Sequence, residues 1–200
     1  MIEFLSKKIT SFLYSNNVIE KEDIEIYNYT FETIIAFFSN IVFILLTGWI
    51  LDRFVCTMVF LLFYCPIRQF SGGYHAENYK SCLLVFILIY IFNYIILEKI
   101  IIGKNVILFL LFTFVGFVGV YRNSPFEHRE HSLSENQRKK YKYIVFLGVT
   151  IDFIFSIIGI HFKNTYIYSV YVLSAINIIY VMIILGKIKQ KFIEKPEKIT

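Results

Sequence analysis

Long apolar blocks separated by short polar connections dominate the hydrophobic pattern of this chain. The blocks lie at about 29–51, 54–67, 82–98, 105–121, 143–161 and 166–186 and are rich in Ile, Leu, Phe, Val and Tyr. About 20 apolar residues in a helix cross the roughly 30 Å hydrocarbon core of a bilayer, and a helix satisfies its own backbone hydrogen bonds there. The pattern predicts an all-α, polytopic integral membrane protein with about six transmembrane helices.

The second block, "FVCTMVFLLFYCPI", is short for a full crossing. Proline has no backbone N–H and interrupts helices. This span therefore either tilts little, begins earlier, or ends below the membrane surface at Cys65-Pro66. The last arrangement would bring the following polar stretch into the membrane boundary.

The N-terminal segment 1–28 has a different, amphipathic pattern. Its apolar positions recur every three or four residues, which predicts a helix; they are Ile2, Leu5, Ile9, Phe12 and Leu13. This helix either lies in the membrane interface or packs on the cytoplasmic side of the bundle. We expect the segment to be retained, because it lacks the apolar core and cleavage site of a signal peptide.

Composition narrows the class of protein further. The chain of 200 residues is 57% hydrophobic with only three prolines, and its mean hydropathy is +0.62. These values exclude a disordered or ordinary soluble protein. Residues 1–200 are expected to form one membrane domain, since no linker or repeat divides them. The net charge of +5 is explained by membrane topology, so we expect no nucleic-acid partner.

The distribution of Lys and Arg predicts the orientation, because these residues concentrate in cytoplasmic loops. With six spans and the N-terminus inside, 16 of the 20 lie in cytoplasmic segments, and the four outside are Arg53, Lys99, Lys104 and Lys163. An odd number of spans would put the basic loop 122–142 and the basic tail 187–200 on opposite sides and lose the bias. We therefore predict a multi-pass protein of the cell membrane with both termini cytoplasmic.

The stretch "RQFSGGYHAENYKSC", residues 68–82, interrupts the apolar pattern on the predicted cytoplasmic side. Cys82 lies where a helix begins, and the positive end of a helix dipole favours a thiolate. His75 is the obvious base to pair with it. In one straight helix their Cα atoms would lie about 10 Å apart. We therefore expect Gly72 and Gly73 to form a turn that folds His75 back towards Cys82.

Other residues compete for roles in this predicted catalytic loop. Cys56 and Cys65 are weaker nucleophile candidates. Cys56 lies near the outer end of the second span with no His near it in sequence, and Cys65 is closer but precedes Pro66 inside an apolar run. No CxxC spacing indicates a zinc or disulfide site. The alternative interpretation is that His75 is a solvated loop residue and Cys82 a small apolar residue of a helix.

Spacing alone does not assign the groups that would support this Cys–His pair. Arg68 can hold a carboxylate or a peptide backbone. Gln69 could donate to an oxyanion, and Glu77 or Asn78 could be a third catalytic residue, but spacing assigns none of them. Asp152, inside the fifth span, should face the bundle interior, where it either pairs with Arg68 or caps a buried polar contact.

Two further patterns carry less chemistry. His128 and His131, with Glu127 and Glu130 beside them, lack the HExxH arrangement, so a charged loop explains them better than a metal site. Glycines at 116, 119, 148 and 159 would let helices approach closely. The sequence leaves open whether this happens within one chain or across a homodimer.

The spacing R-x4-G-x-H-x6-C, formed by Arg68, Gly73, His75 and Cys82, resembles that of the AgrB family, the membrane peptidases of Gram-positive peptide quorum sensing. The likeness covers most of the chain, including the N-terminal amphipathic segment, six spans and a basic loop after the fourth. It implies an AgrD-like propeptide as substrate and partner. It implies no cofactor, because thiol exchange conserves the activated bond without ATP.

The resemblance also implies roles for the motif. Cys82 would attack a peptide bond of the propeptide, with His75 as base and then proton donor, leaving a thioester that an internal Cys or Ser closes into a ring. Arg68 would orient substrate or support the site, and Gly73 would permit the turn. The cations of loop 122–142 would meet anionic lipid or the acidic tail of the propeptide.

Two other classes fit the same apolar pattern. A small transporter or peptide exporter would have polar residues along several spans rather than one cluster at an edge. A membrane acyltransferase would use the same thiolate on a lipid thioester, without a peptide precursor.

Overall fold

The computed structural model describes residues 2–74, 78–103, 105–126 and 133–194, the side chains of residues 193 and 194 excepted. Its helices are α1 (Ile2–Ser15), α2 (Ile24–Ile50), α3 (Phe54–Ser71), α4 (Tyr79–Gly103), α5 (Val106–Asn123), α6 (Glu135–Ile160) and α7 (Tyr166–Glu194). These described residues form no strand, and an isolated bridge joins Gly72 to Phe126. The predicted all-α class is confirmed.

Six of these helices can cross a membrane. By length and composition, the segments that contain α2 to α7 are each long and apolar enough to do so. Their outer surfaces carry many exposed Phe, Leu, Ile and Val side chains, as expected where the surroundings are lipid rather than water. The prediction of a six-span membrane protein is confirmed.

Of the three arrangements that the sequence allowed for the second span, an end at Cys65-Pro66 is not the one observed. Helix α3 continues through Pro66 to Ser71 and has 18 residues, about 27 Å at 1.5 Å per residue. Proline removes one backbone hydrogen bond, but the next helical turn buries Ile67 and Ser71. This burial outweighs the local cost, so the span reaches nearly the full hydrocarbon thickness.

Capping explains two other helix boundaries. Helix α4 begins at Tyr79 rather than at Cys82, because the Asn78 side-chain oxygen accepts a hydrogen bond of 2.9 Å from the Ser81 amide, the usual N-cap interaction. Helix α6 begins at Glu135 with a capping box between Ser134 and Gln137. The four cations at positions 138, 139, 140 and 142 therefore lie on a helix rather than in a loop.

The chain divides into two compact units, Met1–Leu46 and Thr47–Thr200. In the first, α1 connects to α2 through a single 3-10 turn at Lys21–Asp23. The buried Ser6 hydroxyl lies 3.3 Å from a Glu32 carboxylate oxygen, and the Asn28 amide donates to the same oxygen at 3.0 Å. The bond from Ser6 holds α1 against α2, and the bond from Asn28 fixes the Glu32 side chain that accepts it.

Helix α7 is the core of the second unit. The most apolar 18-residue window of α7 is 78% buried, against 17–39% for the other five spans. Its fully buried side chains face α3, α4, α5 and α6, which surround it; they include Val170, Tyr171, Leu173, Ile176, Ile179 and Ile183. The last helix of the chain thus forms the centre of the bundle.

Buried polar groups and glycines join α7 to its neighbours. Asn177 donates to the Thr113 hydroxyl of α5 at 2.9 Å, and Asn93 of α4 donates to Ser174 at 3.2 Å. Interhelical hydrogen bonds of this kind contribute on average about 0.6 kcal/mol each in membranes. Gly116, Gly119 and Gly159 face α7, and Gly148 faces α3. The predicted close approaches therefore occur within one chain.

Helices α3 and α4 pair antiparallel in a regular register. At one end, Arg53 makes a two-point salt bridge to Glu98, at 2.8 and 2.9 Å. This hydrogen bond to Glu98 raises the pKa of Arg53. Further along, the Phe60 and Tyr90 rings lie 5.4 Å apart and the Tyr64 and Phe86 rings 5.1 Å apart. The contacting positions are thus spaced by whole helical turns along both helices.

Candidate active site

The register of α3 and α4 places Arg68 level with Cys82. From the stacked pair Tyr64 and Phe86, one more turn along α3 reaches Arg68 and one turn back along α4 reaches Cys82. The structure therefore brings the arginine and cysteine of the motif to the same end of the bundle.

A sharp turn follows α3 at Gly72 and Gly73. Their φ angles are +66° and +132°, in the region that residues with a side chain rarely adopt. A side chain at Gly72 would also collide with the Phe126 carbonyl oxygen, because a Cβ there would lie 2.0 Å from it. The glycine turn predicted from the sequence is confirmed.

Arg68 holds this turn from α3. Its guanidinium donates one hydrogen bond to the Gly72 carbonyl and another, of 2.9 Å, to the Tyr74 carbonyl. A planar guanidinium can reach two acceptors at once in a fixed geometry. Arg68 therefore binds the backbone of its own turn, which is the supporting role that the sequence left open.

Two other segments hold the same turn. The Tyr74 amide donates to the Met182 carbonyl of α7 at 2.7 Å, and the Phe126 amide donates to the Ser71 carbonyl at 2.8 Å. Lys189 of α7 lies 5.7 Å from the centre of the Tyr74 ring, within range of a cation–π interaction. The segment from Ser71 to Tyr74 is therefore fixed by α3, α7 and the end of α5.

Cys82 is the fourth residue of α4 and is half-buried. Its amide donates to the Asn78 carbonyl at 3.1 Å, so it lies in the first turn of the helix. Gln69 is exposed on α3. The other predicted residues of the loop, His75 and Glu77, lie outside the described residues.

The competing cysteines differ from Cys82 in their surroundings. All three are free thiols. Cys56 is buried one turn from Arg53, at the opposite end of α3 from the turn, and Cys65 is half-buried inside the same helix. Cys56 also lies in the first turn of its helix, but of the three cysteines only Cys82 lies at the start of a helix on the side of the glycine turn.

Asp152 lies in the bundle interior, as its position in an apolar span predicts. The residue is 4% exposed, and its Oδ2 has no hydrogen-bond partner among the described residues. The guanidinium of Arg68 donates to the turn carbonyls instead. The predicted pairing of Asp152 with Arg68 is thus not made in the described part of the chain.

The described residues contain no group of three or more Cys, His, Asp or Glu side chains that could hold a metal ion. The pair His128 and His131, with Glu127 and Glu130, lies outside the described residues.

Several residues of the site could not be predicted from the sequence. Tyr64, Phe126, Met182 and Gly186 all meet the motif or its turn, yet the last three lie in other parts of the chain. Gly186, in the run "IILGKIK", carries the best available signal, a small residue inside an apolar span. The others have side chains typical of any membrane helix.

The fold and the site together define a polytopic helical membrane protein with an arginine-held glycine turn beside a helix-initial cysteine. The family model of accessory gene regulator B matches residues 6–185, and the chain belongs to that family. It is 25% identical over 146 residues to "Putative AgrB-like protein 2" of Clostridium perfringens (strain 13 / Type A), a match that covers 70% of this chain and 68% of that protein.

A second relative gives the same result. The chain is 26% identical over 146 residues to "Putative AgrB-like protein" of Clostridium perfringens (strain SM101 / Type A), with 70% of this chain and 68% of the relative covered. No solved structure matches the chain significantly. Family membership supports a role in the accessory gene regulator system of quorum sensing.

Proposed function

We propose that this protein is a membrane cysteine endopeptidase that cuts a small AgrD-like propeptide and supports its cyclisation. The observation that carries the proposal is the glycine turn held by Arg68, on a helix whose register with α4 puts Arg68 level with Cys82. Such a turn supplies a rigid frame for a base, which a cysteine nucleophile requires as its partner.

The chemistry needs two steps. The Cys82 thiolate attacks a peptide carbonyl carbon, the C–N bond breaks, and His75 passes a proton to the leaving amine, so that the C-terminal portion departs and a thioester remains. An internal Cys or Ser of the bound portion then gives its proton to His75 and attacks the thioester. This closes a thiolactone or lactone ring and releases Cys82.

The proposal places this reaction on the cytoplasmic side of the cell membrane. The basic residues near the turn support that placement, since Arg122, Lys187 and Lys191 lie on the ends of α5 and α7 nearest to it and cytoplasmic segments are rich in Lys and Arg. These cations would also attract an acidic substrate tail or anionic lipid.

Co-expression with a candidate precursor tests the proposal. The precursor would have an amphipathic start, a central Cys or Ser and an acidic end, and mass spectrometry would follow its cleavage and its adduct with the enzyme. We expect Cys82→Ala and His75→Ala to abolish both products, whereas the matched control Cys65→Ala keeps them. Cleavage by Cys82→Ala at the parental rate would refute the assignment of the nucleophile.

An exporter of a peptide or small molecule is the alternative function. The buried polar residues along α7 favour it, because Asn177 and Ser174 carry interhelical hydrogen bonds deep in the bundle. Both side chains already bond to Thr113 and Asn93 of neighbouring helices, however, as expected of residues that hold helices together. Transport of a preformed cyclic peptide by Cys82→Ala into proteoliposomes would favour the exporter.

A further inference from the structure

We infer that Gly186 of α7 is a positioning residue for the catalytic turn, because its missing side chain lets the Gly73–Tyr74 peptide rest directly on α7. The inference rests on the proposed function. It assigns the task of holding the turn to a residue far outside the motif Arg68, Gly73, His75 and Cys82.

The space at Gly186 is filled by the backbone of the turn. A Cβ there would lie 3.0 Å from the carbonyl carbon of Gly73, 3.0 Å from the amide nitrogen of Tyr74 and 2.8 Å from Cε1 of Phe126. Carbon atoms make normal contacts at about 3.5–4.0 Å. Since two of the three neighbours are backbone atoms, they cannot rotate away as the end of a side chain can.

The same turn of α7 supplies the acceptor for Tyr74. In an α-helix the carbonyl of residue i points towards residue i+4, and residue 186 is that residue for Met182. With no side chain at Gly186 to cover it, the Met182 carbonyl is open to a second donor, and it accepts the Tyr74 amide at 2.7 Å. The missing side chain at Gly186 therefore provides both the space for the turn and access to the Met182 carbonyl that binds it.

Two helices thus hold the turn from two directions. Arg68 of α3 binds the carbonyls of Gly72 and Tyr74, and α7 binds the amide of Tyr74. Tyr74 is covalently bonded to His75, the base of the proposed mechanism. A methyl group at position 186 would push the Tyr74 peptide away from α7 and move the attachment point of that base.

The test compares Gly186→Ala with Gly148→Ala in the full chain. Gly148 is a matched control, because it also packs inside the bundle and its Cβ would lie 2.9 Å from a side-chain atom, Cγ1 of Ile67, instead of the backbone of the turn. A displacement of about 1 Å can cost roughly 100-fold in rate. We expect Gly186→Ala to lower precursor cleavage by about 10- to 100-fold and Gly148→Ala to stay near the parental rate.

A second readout separates positioning from a general loss of packing. With Cys56 and Cys65 replaced by Ala, the rate of alkylation by iodoacetamide reports Cys82 alone. We expect the pH profile of this rate in Gly186→Ala to shift towards that of His75→Ala. In the double variant that carries Gly186→Ala and His75→Ala, the alkylation profile should be that of His75→Ala alone, because the effects of residues that act through one another are non-additive.

The outcomes are distinct. Equal cleavage by Gly186→Ala and Gly148→Ala, or a full additional effect of Gly186→Ala on alkylation in the His75→Ala background, would overturn the inference. If Gly186→Ala fails to give a monodisperse protein, Phe126→Leu is tested in its place. We expect Phe126→Leu to lower precursor cleavage by less, and to show the same non-additivity with His75→Ala. Cleavage by Phe126→Leu at the parental rate, or an additive effect on alkylation, would also overturn the inference. Normal cleavage by Cys82→Ala would instead refute the proposed function.

Discussion

Arg68 illustrates how one side chain can act through the backbone of its own segment. It binds two carbonyls, those of Gly72 and Tyr74, and a lysine ammonium would act as a single point charge on a flexible stem. We therefore expect Arg68→Lys to lower precursor cleavage by at least about tenfold while the protein remains folded. The matched control Arg122→Lys, at an exposed position on α5, should cleave normally. Equal rates for both variants would contradict the two-point role.

For Asp152 we expect replacement to stabilise the protein and leave its activity unchanged. Its carboxyl group is buried without a hydrogen-bond partner for Oδ2 among the described residues. An unsatisfied buried polar group costs about 1–3 kcal/mol. We expect Asp152→Leu, of similar size, to raise the thermal midpoint in detergent and to keep cleavage. Asn93→Leu, which breaks the bond to Ser174, should lower the midpoint. Loss of cleavage in Asp152→Leu would mean that the carboxylate engages the substrate.

At the scale of elements, α1 tests how the N-terminal amphipathic pattern is used. The sequence allowed either the membrane interface or the bundle surface. We expect the interface, since within its compact unit α2 leaves Leu5, Ile9 and Phe12 39%, 38% and 67% exposed although they form one apolar face. Helix α1 also connects to the membrane-spanning α2 within the same compact unit.

A tryptophan scan tests this placement of α1. In a Trp49→Phe background, which removes the single tryptophan of the chain, we expect brominated lipids to quench Phe12→Trp strongly. Lys7→Trp, about 140° away around the helix, should be quenched much less. Equal quenching at the two positions would mean that the apolar face of α1 is not turned to lipid.

The existence of the helices could be predicted from the sequence, because membrane spans are set by local apolar composition. The N-caps Asn78 and Ser134 are also local signals and could have moved two boundaries to their observed places. The continuation of α3 through Pro66 could not be predicted. The hydrogen bond that proline removes is a local loss, whereas the burial of Ile67 and Ser71 comes from other helices. The glycine turn was predicted from Gly72 and Gly73, but its anchors were not.

At the scale of the whole molecule, the position of α7 explains why those anchors were missed. The last helix of the chain provides the core and also the Met182 carbonyl and the gap at Gly186 that seat the turn after α3. No local pattern connects these positions. The site is therefore completed only when α7 has inserted among the earlier helices, so the stability of the bundle and the geometry of the site depend on the same helix.

The orientation of α7 in the membrane decides which compartment the site faces. The turn rests on α7 near Met182 and Gly186, towards the end that carries Lys191, whereas Lys163 lies in the connection before α7. The Lys and Arg distribution predicts that the Lys191 end is cytoplasmic, where thiols stay reduced. The nucleophile assigned to Cys82 requires such a compartment.

Cysteine labelling in intact cells tests this orientation. In a background without the three native cysteines, we expect a membrane-impermeant maleimide to label Lys163→Cys directly and Lys191→Cys only after the cells are permeabilised. Both positions are exposed, so accessibility within the protein is matched between them. Direct labelling of Lys191→Cys together with protection of Lys163→Cys would place the turn outside the cell. A cytoplasmic thiol peptidase could not then operate at this site.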